Sequence, residues 1–249
     1  MKDSSSLSRP ELFECQQLRV GAAGRAILPP IELKIRAGEF WAVIGRNGAG
    51  KTTWLRTLLG LIPPVGGQVR SASRVRASYL PQRSSMDDLY PLTAREVVSI
   101  GAERGWSFLG GVSARQNRDK IEQALSEVGA AELAERPFRR LSEGQKQRVL
   151  FARLVAADAE LAILDEPTSA MDKIAEREAF ELIQALRDKR GLTVLVVSHY
   201  LSIVQHFADR AILLDADSQQ VVSGTPRDVF EHSAFRARYG DFVDGAPDA

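Results

Sequence analysis

The run "FWAVIGRNGAGKTTWLRTLLGL", residues 40 to 61, constrains the chain more than any other stretch. Its first part is short and apolar, with the look of a buried strand, and its last part reads as a helix. Between them "GRNGAGKT", residues 45 to 52, satisfies the phosphate-loop pattern in the strand-to-helix context that gives the pattern its meaning. Gly45, Gly48 and Gly50 let the backbone wrap so that successive N–H groups converge on phosphate oxygens. Lys51 supplies a point charge to the outer phosphates, and the Thr52 hydroxyl is a ligand for Mg²⁺.

The rest of the chain is read outward from that unit. "LFECQQLRV" and "IELKIRA" alternate like strands, joined by a Gly- and Pro-containing loop at residues 21 to 30. "GGQVR" and "ASYLPQ" read as two further short strands. From Thr93 to Asp158 the pattern turns helical, with Ile121, Leu125 and Val128 on one face of the middle helix. A Gly-rich turn, "GWSFLGG", separates the first two helices. Alternation then resumes with "LAILD", a helix from Asp172 to about Lys189, "LTVLVVS", a short helix from Tyr200 and "RAILLD". The expected class is α/β: a phosphate-loop core with a largely parallel sheet, an antiparallel β subdomain and an inserted helical subdomain. The expected boundaries within one domain spanning 1–249 are 10–83 and 159–240 for the core, 84–158 for the helical insert, and mobile ends at 1–9 and 241–249.

Four further sites are candidates for chemistry. "LAILDEP" is an apolar strand ending in two carboxylates; beside a phosphate loop, Asp165 would anchor the Mg²⁺ shell and Glu166 would polarise an attacking water. Alone, the pair could equally cap the next helix. His199 follows a core strand at its carboxyl end, where ligands gather in open α/β sheets, and is placed to sense a γ-phosphate. His206 and His232 lack such placement and read as surface or packing residues. Gln82 stands where sheet pattern gives way to helix; a neutral amide ligates Mg²⁺ or its water weakly, although in isolation a turn residue after Pro81 is the simpler reading. Finally, "LSEGQKQR" places Ser142 three residues before Gln145, the capping-box spacing, with Gly144 on the first turn. It offers a hydroxyl, bare N–H groups and a helix dipole to an anion, yet has no metal ligand or nucleophile of its own.

Composition narrows the partners. Lys+Arg 33 against Asp+Glu 32 leaves a net charge of +1, so no global field points to nucleic acid. Seven Arg between Arg115 and Arg153 are interleaved with acids and read as a mixed solvated surface. Cys15 is alone, which excludes an intrachain disulfide and fits a reducing compartment. "MKDSSSLSRPELFE" lacks a signal-peptide apolar core, and no run approaches the roughly 20 apolar residues of a membrane span.

The ordered set of phosphate loop, "LPQ", "LSEGQKQR", "LAILDEP", "SAMD" and "SHY" resembles the nucleotide-binding subunit of ATP-binding cassette (ABC) transporters over residues 11 to 240. The resemblance implies an ATPase using ATP and Mg²⁺. Gly45, Arg46, Asn47, Gly48, Ala49, Gly50, Lys51, Thr52 and Thr53 would form the Walker A loop. Gln82 would be the Q-loop glutamine, with Thr52 and Asp165 a third member of the Mg²⁺ shell. Glu166, His199 and Lys51 would carry catalysis, as catalytic glutamate, switch histidine and loop lysine. Ser142, Gly144 and Gln145 would belong to the family signature, and Asp172 to the D-loop at a dimer interface. ATP would lie between two copies, the signature of one completing the phosphate loop of the other. Two permease subunits, and indirectly an extracytoplasmic solute-binding protein, are the implied partners, with no nucleic acid. The implied location is the cytoplasmic face of the inner membrane, as a peripheral subunit.

"YLPQRSSMDDLYPLTAREVVSIG" and the ending "FRARYG" resemble the zinc/manganese importer branch of bacteria. No Cys/His cluster has the spacing to hold a cargo metal. Importers of iron chelates, haem or cobalamin, an exporter, a non-transport ABC module and a non-hydrolysing cassette are the alternatives. Two departures stand out. Glu143 occupies a position where the signature usually has Gly, and it is expected to point away from the triphosphate. The loop "GAAGRAIL" lacks the aromatic that usually meets adenine, which leaves Arg25 or Phe13 as stand-ins.

Overall fold

A computed structural model describes residues 9–71, 75–80, 91–102, 114–168, 171–198 and 200–240. Along the chain come β1 (Glu11–Arg19), β2 (Gly21–Ala22), β3 (Arg25–Ala26), β4 (Ile31–Arg36), β5 (Phe40–Ile44), α1 (Lys51–Leu58) and β6 (Gly66–Ser71). Then follow β7 (Ala77–Leu80), α2 (Ala94–Ala102), α3 (Ala114–Glu127), α4 (Glu143–Ala156), β8 (Leu161–Asp165) and α5 (Lys173–Arg190). The last are β9 (Thr193–Val197), α6 (Leu201–Phe207), β10 (Arg210–Asp215), β11 (Gln220–Gly224), α7 (Pro226–Glu231) and α8 (Ser233–Tyr239). Two compact units divide the chain: residues 1–75 with 191–249, and residues 76–190.

In the first unit β1 lies between β4 and β6, antiparallel to both. The alternation of "IELKIR" has its expected result: Ile31, Leu33 and Ile35 are buried while Glu32 and Lys34 face water. A second sheet segment runs β11-β10-β5-β9, with β5 parallel to both neighbours and β11 closing antiparallel. β5 and β9 are buried at every position, which is why they read as unbroken apolar runs rather than alternating ones.

Three local features differ from the expectation. The loop at 21 to 30 contains the small hairpin β2–β3, turned by Ala23 and Gly24 at positive φ; alanine in such a turn carries no hairpin signal. α1 stops at Leu58 rather than running to Leu61. Gly60 N–H bonds to the Thr57 carbonyl and Leu61 N–H to that of Arg56, the two bonds of a Schellman stop with Gly60 at φ +69. Beyond Asp215, β11, α7 and α8 are additional. The start of α7 was marked in the sequence by Thr225, Pro226 and Asp228, a capping box with Pro at the first turn.

In the second unit β7 and β8 pair in parallel, with Tyr79 opposite Ile163. Helices α2, α3 and α4 pack on one another, and α4 on α5. Ile121, Leu125 and Val128 are buried, as their spacing predicts. Ends are tied by charge: Arg95 pairs with Glu122 and Glu135, and Glu127 with Lys189 and Arg190. The "GWSFLGG" turn lies outside the described residues.

One ion pair in the first unit gives a pH prediction. Asp215, at the end of β10, takes a bidentate bond from Arg238 of α8 at 2.8 and 3.0 Å, and its side chain is 8% exposed. Burial pushes the carboxyl up, but Arg238 and the hydrogen bonds from Ser218 outweigh it and hold it at about 2, against an ordinary 3.8. A depressed folded-state value contributes stability above about pH 4 that is lost as pH falls towards about 2. Asp215→Asn is therefore expected to cost about 1–2 kcal/mol at neutral pH and to flatten the urea-stability profile between those two pH values.

Candidate functional site

The first unit contributes the phosphate loop. Buried β5 delivers the chain to Gly45, whose φ of +155 and close approach to the Leu214 carbonyl leave no room for a side chain: an added Cβ would lie 2.4 Å from that oxygen. Arg46, Asn47 and Gly48 are exposed at the loop's crest, and Ala49 is buried beneath it, its N–H bonded to the Arg46 carbonyl at 3.0 Å. Gly50 is the N-cap of α1 and brings no side-chain acceptor, so the cap leaves the first-turn N–H groups to a ligand. Lys51 is 8% exposed, and its ammonium donates to the Gly45 and Arg46 carbonyls at 2.5 and 3.0 Å. Thr52 is exposed and Thr53 half-buried on the first turn.

The second unit contributes carboxylates and the capped helix. β8 carries Asp165 to its carboxyl end, where the side chain is half-buried and accepts a bond from the Tyr79 hydroxyl at 2.8 Å. Glu166 follows in the left-handed region at φ +48. Asp172 caps α5, its Oδ1 accepting the N–H groups of Ile174 and Ala175 at 3.0 and 2.9 Å. Behind that turn Thr168 donates to Glu176 at 2.8 Å, both buried.

α4 begins with the predicted capping box. Ser142 Oγ accepts the Gln145 N–H at 3.3 Å, and Gln145 Oε1 accepts the Ser142 N–H at 3.0 Å. The Ser142 residue remains exposed, and a Cβ added at Gly144 would meet nothing within 4 Å. The chain's own packing therefore does not demand glycine there. Glu143 bonds to Lys146 at 3.0 Å, one turn along the same helix.

Gly45 to Thr53 thus lie in one unit, and Asp165, Glu166, Asp172, Ser142, Gly144 and Gln145 in the other. Gln82, His199, and Ser169 and Ala170 of "SAMD" lie outside the described residues. Phe13 is 5% exposed within the core of β1, which removes it as a partner for a base, whereas Arg25 is exposed. Among the described residues no group of three or more His, Cys, Asp and Glu could hold a metal. Thr52 in the first unit and Asp165 in the second each bring a hard oxygen donor, the type that Mg²⁺ takes beside water and phosphate oxygens. The Tyr79 contact is a feature that the sequence reading missed.

Residues 28–169 match the family described as ABC transporter. The chain is 35% identical over 235 residues to the zinc import ATP-binding protein ZnuC of Cereibacter sphaeroides, covering 94% of this chain and 91% of that protein. It is 36% identical over 229 residues to ZnuC of Pseudomonas aeruginosa, covering 92% and 80%. A solved metal-chelate type ABC transporter in an inward-facing conformation aligns with a TM-score of 0.79 at 25% identity, over 92% of this chain and 88% of that one. CbiO1 from Clostridium perfringens, part of the complex cbiONQ, shares the fold at a TM-score of 0.77 and 22% identity, over 92% and 95%. The mostly parallel sheet, the antiparallel β subdomain and the helical region are those of this fold, as expected.

The conformation of Glu166 is open to a direct check. A left-handed non-glycine residue costs about 1–2 kcal/mol, and such strain persists where the surroundings impose it. Glu166→Gly relieves it, against about 0.5–1 kcal/mol of added unfolded-chain freedom. Its melting temperature is expected at or above that of the parent, whereas the β-branched Glu166→Val should melt earlier.

Proposed function

This chain belongs to the ABC transporter family as an ATPase subunit of a complex with permeases, and on that premise we propose that it powers uptake of a divalent metal ion, zinc or manganese. The observation that carries the cargo is the likeness, at about a third identity over nearly the whole chain, to zinc import ATP-binding proteins.

In this reading ATP binds at Gly45 to Thr53. The loop N–H groups and Lys51, drawn off its own carbonyls, take the β- and γ-phosphates. Thr52, Asp165 and Gln82 would hold Mg²⁺, which when bound neutralises charge developing on the phosphates. Glu166 accepts a proton from the attacking water, and His199 contacts the γ-phosphate and reports its loss. A second copy supplies Ser142, Gly144 and Gln145 across the nucleotide, with Asp172 at the shared interface. Closure of the pair moves two permeases at the cytoplasmic face of the inner membrane, and an extracytoplasmic binding protein delivers the ion. Among the described residues no helix is long and apolar enough to cross a membrane, so attachment through the permeases is the route proposed.

Two experiments test this. Glu166→Gln is expected to lower ATP hydrolysis by at least about 10²-fold, the usual worth of a positioned base, while a dimer accumulates with Mg-ATP in light scattering. A variant that stays monomeric at saturating Mg-ATP removes the shared-site mechanism. Deleting the gene is expected to impair growth under metal chelation, with rescue by zinc or manganese. Rescue by iron chelates, haem or cobalamin instead would assign the cargo to the metal-chelate group that the aligned transporter represents.

A further inference from the structure

The hydrogen bond from the Tyr79 hydroxyl to Asp165 Oδ2, 2.8 Å long, has no part in the roles above. Tyr79 sits on β7 opposite Ile163 of β8. Asp165 is two residues further along on the same face, about 6.6 Å away at the rise of a parallel strand. Serine or threonine at position 79 could not span that distance, whereas a phenol does. Tyr79 is 40% exposed, so water could satisfy its hydroxyl, and the bond is no rescue of a buried group. What the bond alters is the carboxylate. A carboxylate has two oxygens and about four lone-pair directions. Engaging one of them on Oδ2 fixes the rotation of the group and keeps Oδ1 available.

We propose that Tyr79 is a positioning residue for the Mg²⁺ bound with the nucleotide, holding Asp165 in the rotamer that meets the ion's shell. The inference rests on the reading of Asp165 as an anchor of that shell. Outer partners of ligating carboxylates act in this way, and removing one typically weakens metal binding while sparing the fold. The phenylalanine variant keeps the ring in its half-exposed place and deletes only the hydroxyl.

Mn²⁺ is a suitable probe, because its electron paramagnetic resonance signal reports binding without turnover. With the full chain and ADP, Tyr79→Phe is expected to bind Mn²⁺ about tenfold more weakly. Its ADP affinity in EDTA and its melting temperature should be unchanged. Asp165→Asn is titrated in parallel. If Asp165→Asn weakens Mn²⁺ binding and Tyr79→Phe stays within about twofold of the parent, the positioning role is overturned and the reading of Asp165 stands. If neither variant weakens it, both are overturned. If Tyr79→Phe loses ADP equally with and without metal, the tyrosine supports the nucleotide cradle and the proposal also falls.

Discussion

A lysine ammonium held almost out of water sets the terms for the first unit. Buried charge is tolerated only where oxygens surround it, and Lys51 finds its oxygens on the Gly45 and Arg46 carbonyls of its own loop. The loop must therefore fold tightly over the start of α1, and it can do so only from a rigid base. β5 supplies that base because β9 and β10 clamp it in parallel register. Gly45 lies against the Leu214 carbonyl, and the next residue, Asp215, is bonded to Arg238. The Asp215–Arg238 ion pair thus lies one residue from the carbonyl against which Gly45 packs. The C-terminal helix is part of the loop's foundation.

The two units divide the chemistry as well as the chain. The first offers the loop's N–H donors and the Lys51 ammonium. The second offers the acid strand end, the serine cap and the aspartate cap, but no cradle for a triphosphate. The stretch around Ser142 and Gly144 carries no metal ligand or nucleophile of its own, which is the reason for reading it as half of a site. At Gly144 an added Cβ would meet nothing within 4 Å, so there is open space beside the start of α4.

What was legible in the sequence is what is local. The phosphate loop, the capping box at Ser142 and the strand ending in Asp165 are each written within a few residues, because each depends on neighbours along the chain. Contacts set by strand register were not legible. Tyr79 and Asp165 are 86 positions apart and meet only because β7 and β8 pair with Tyr79 opposite Ile163. Arg238 reaches Asp215 only after α7 and α8 fold back. Glu166 was legible as an acid but not as a strained one, since nothing about glutamate signals a left-handed backbone. The part of Phe13 was open in the sequence and closes once β1 is seen to bury it.

Glu143 shows how a departure from a pattern can be accommodated. Its carboxylate stands on the first turn of α4, where the helix dipole favours negative charge but an approaching triphosphate would be repelled. Lys146 resolves the conflict. Three residues on and mostly buried, it draws the carboxylate along the helix to 3.0 Å and cancels its charge locally. The helix start then presents the Ser142 hydroxyl and first-turn N–H groups without a net negative neighbour. A glutamate beside Ser142 is compatible with anion binding because a lysine lies one turn below it, so positions 143 and 146 act as one unit. Replacing Lys146 alone would remove this ion pair and keep the acid, while replacing both would take both charges off the start of the helix.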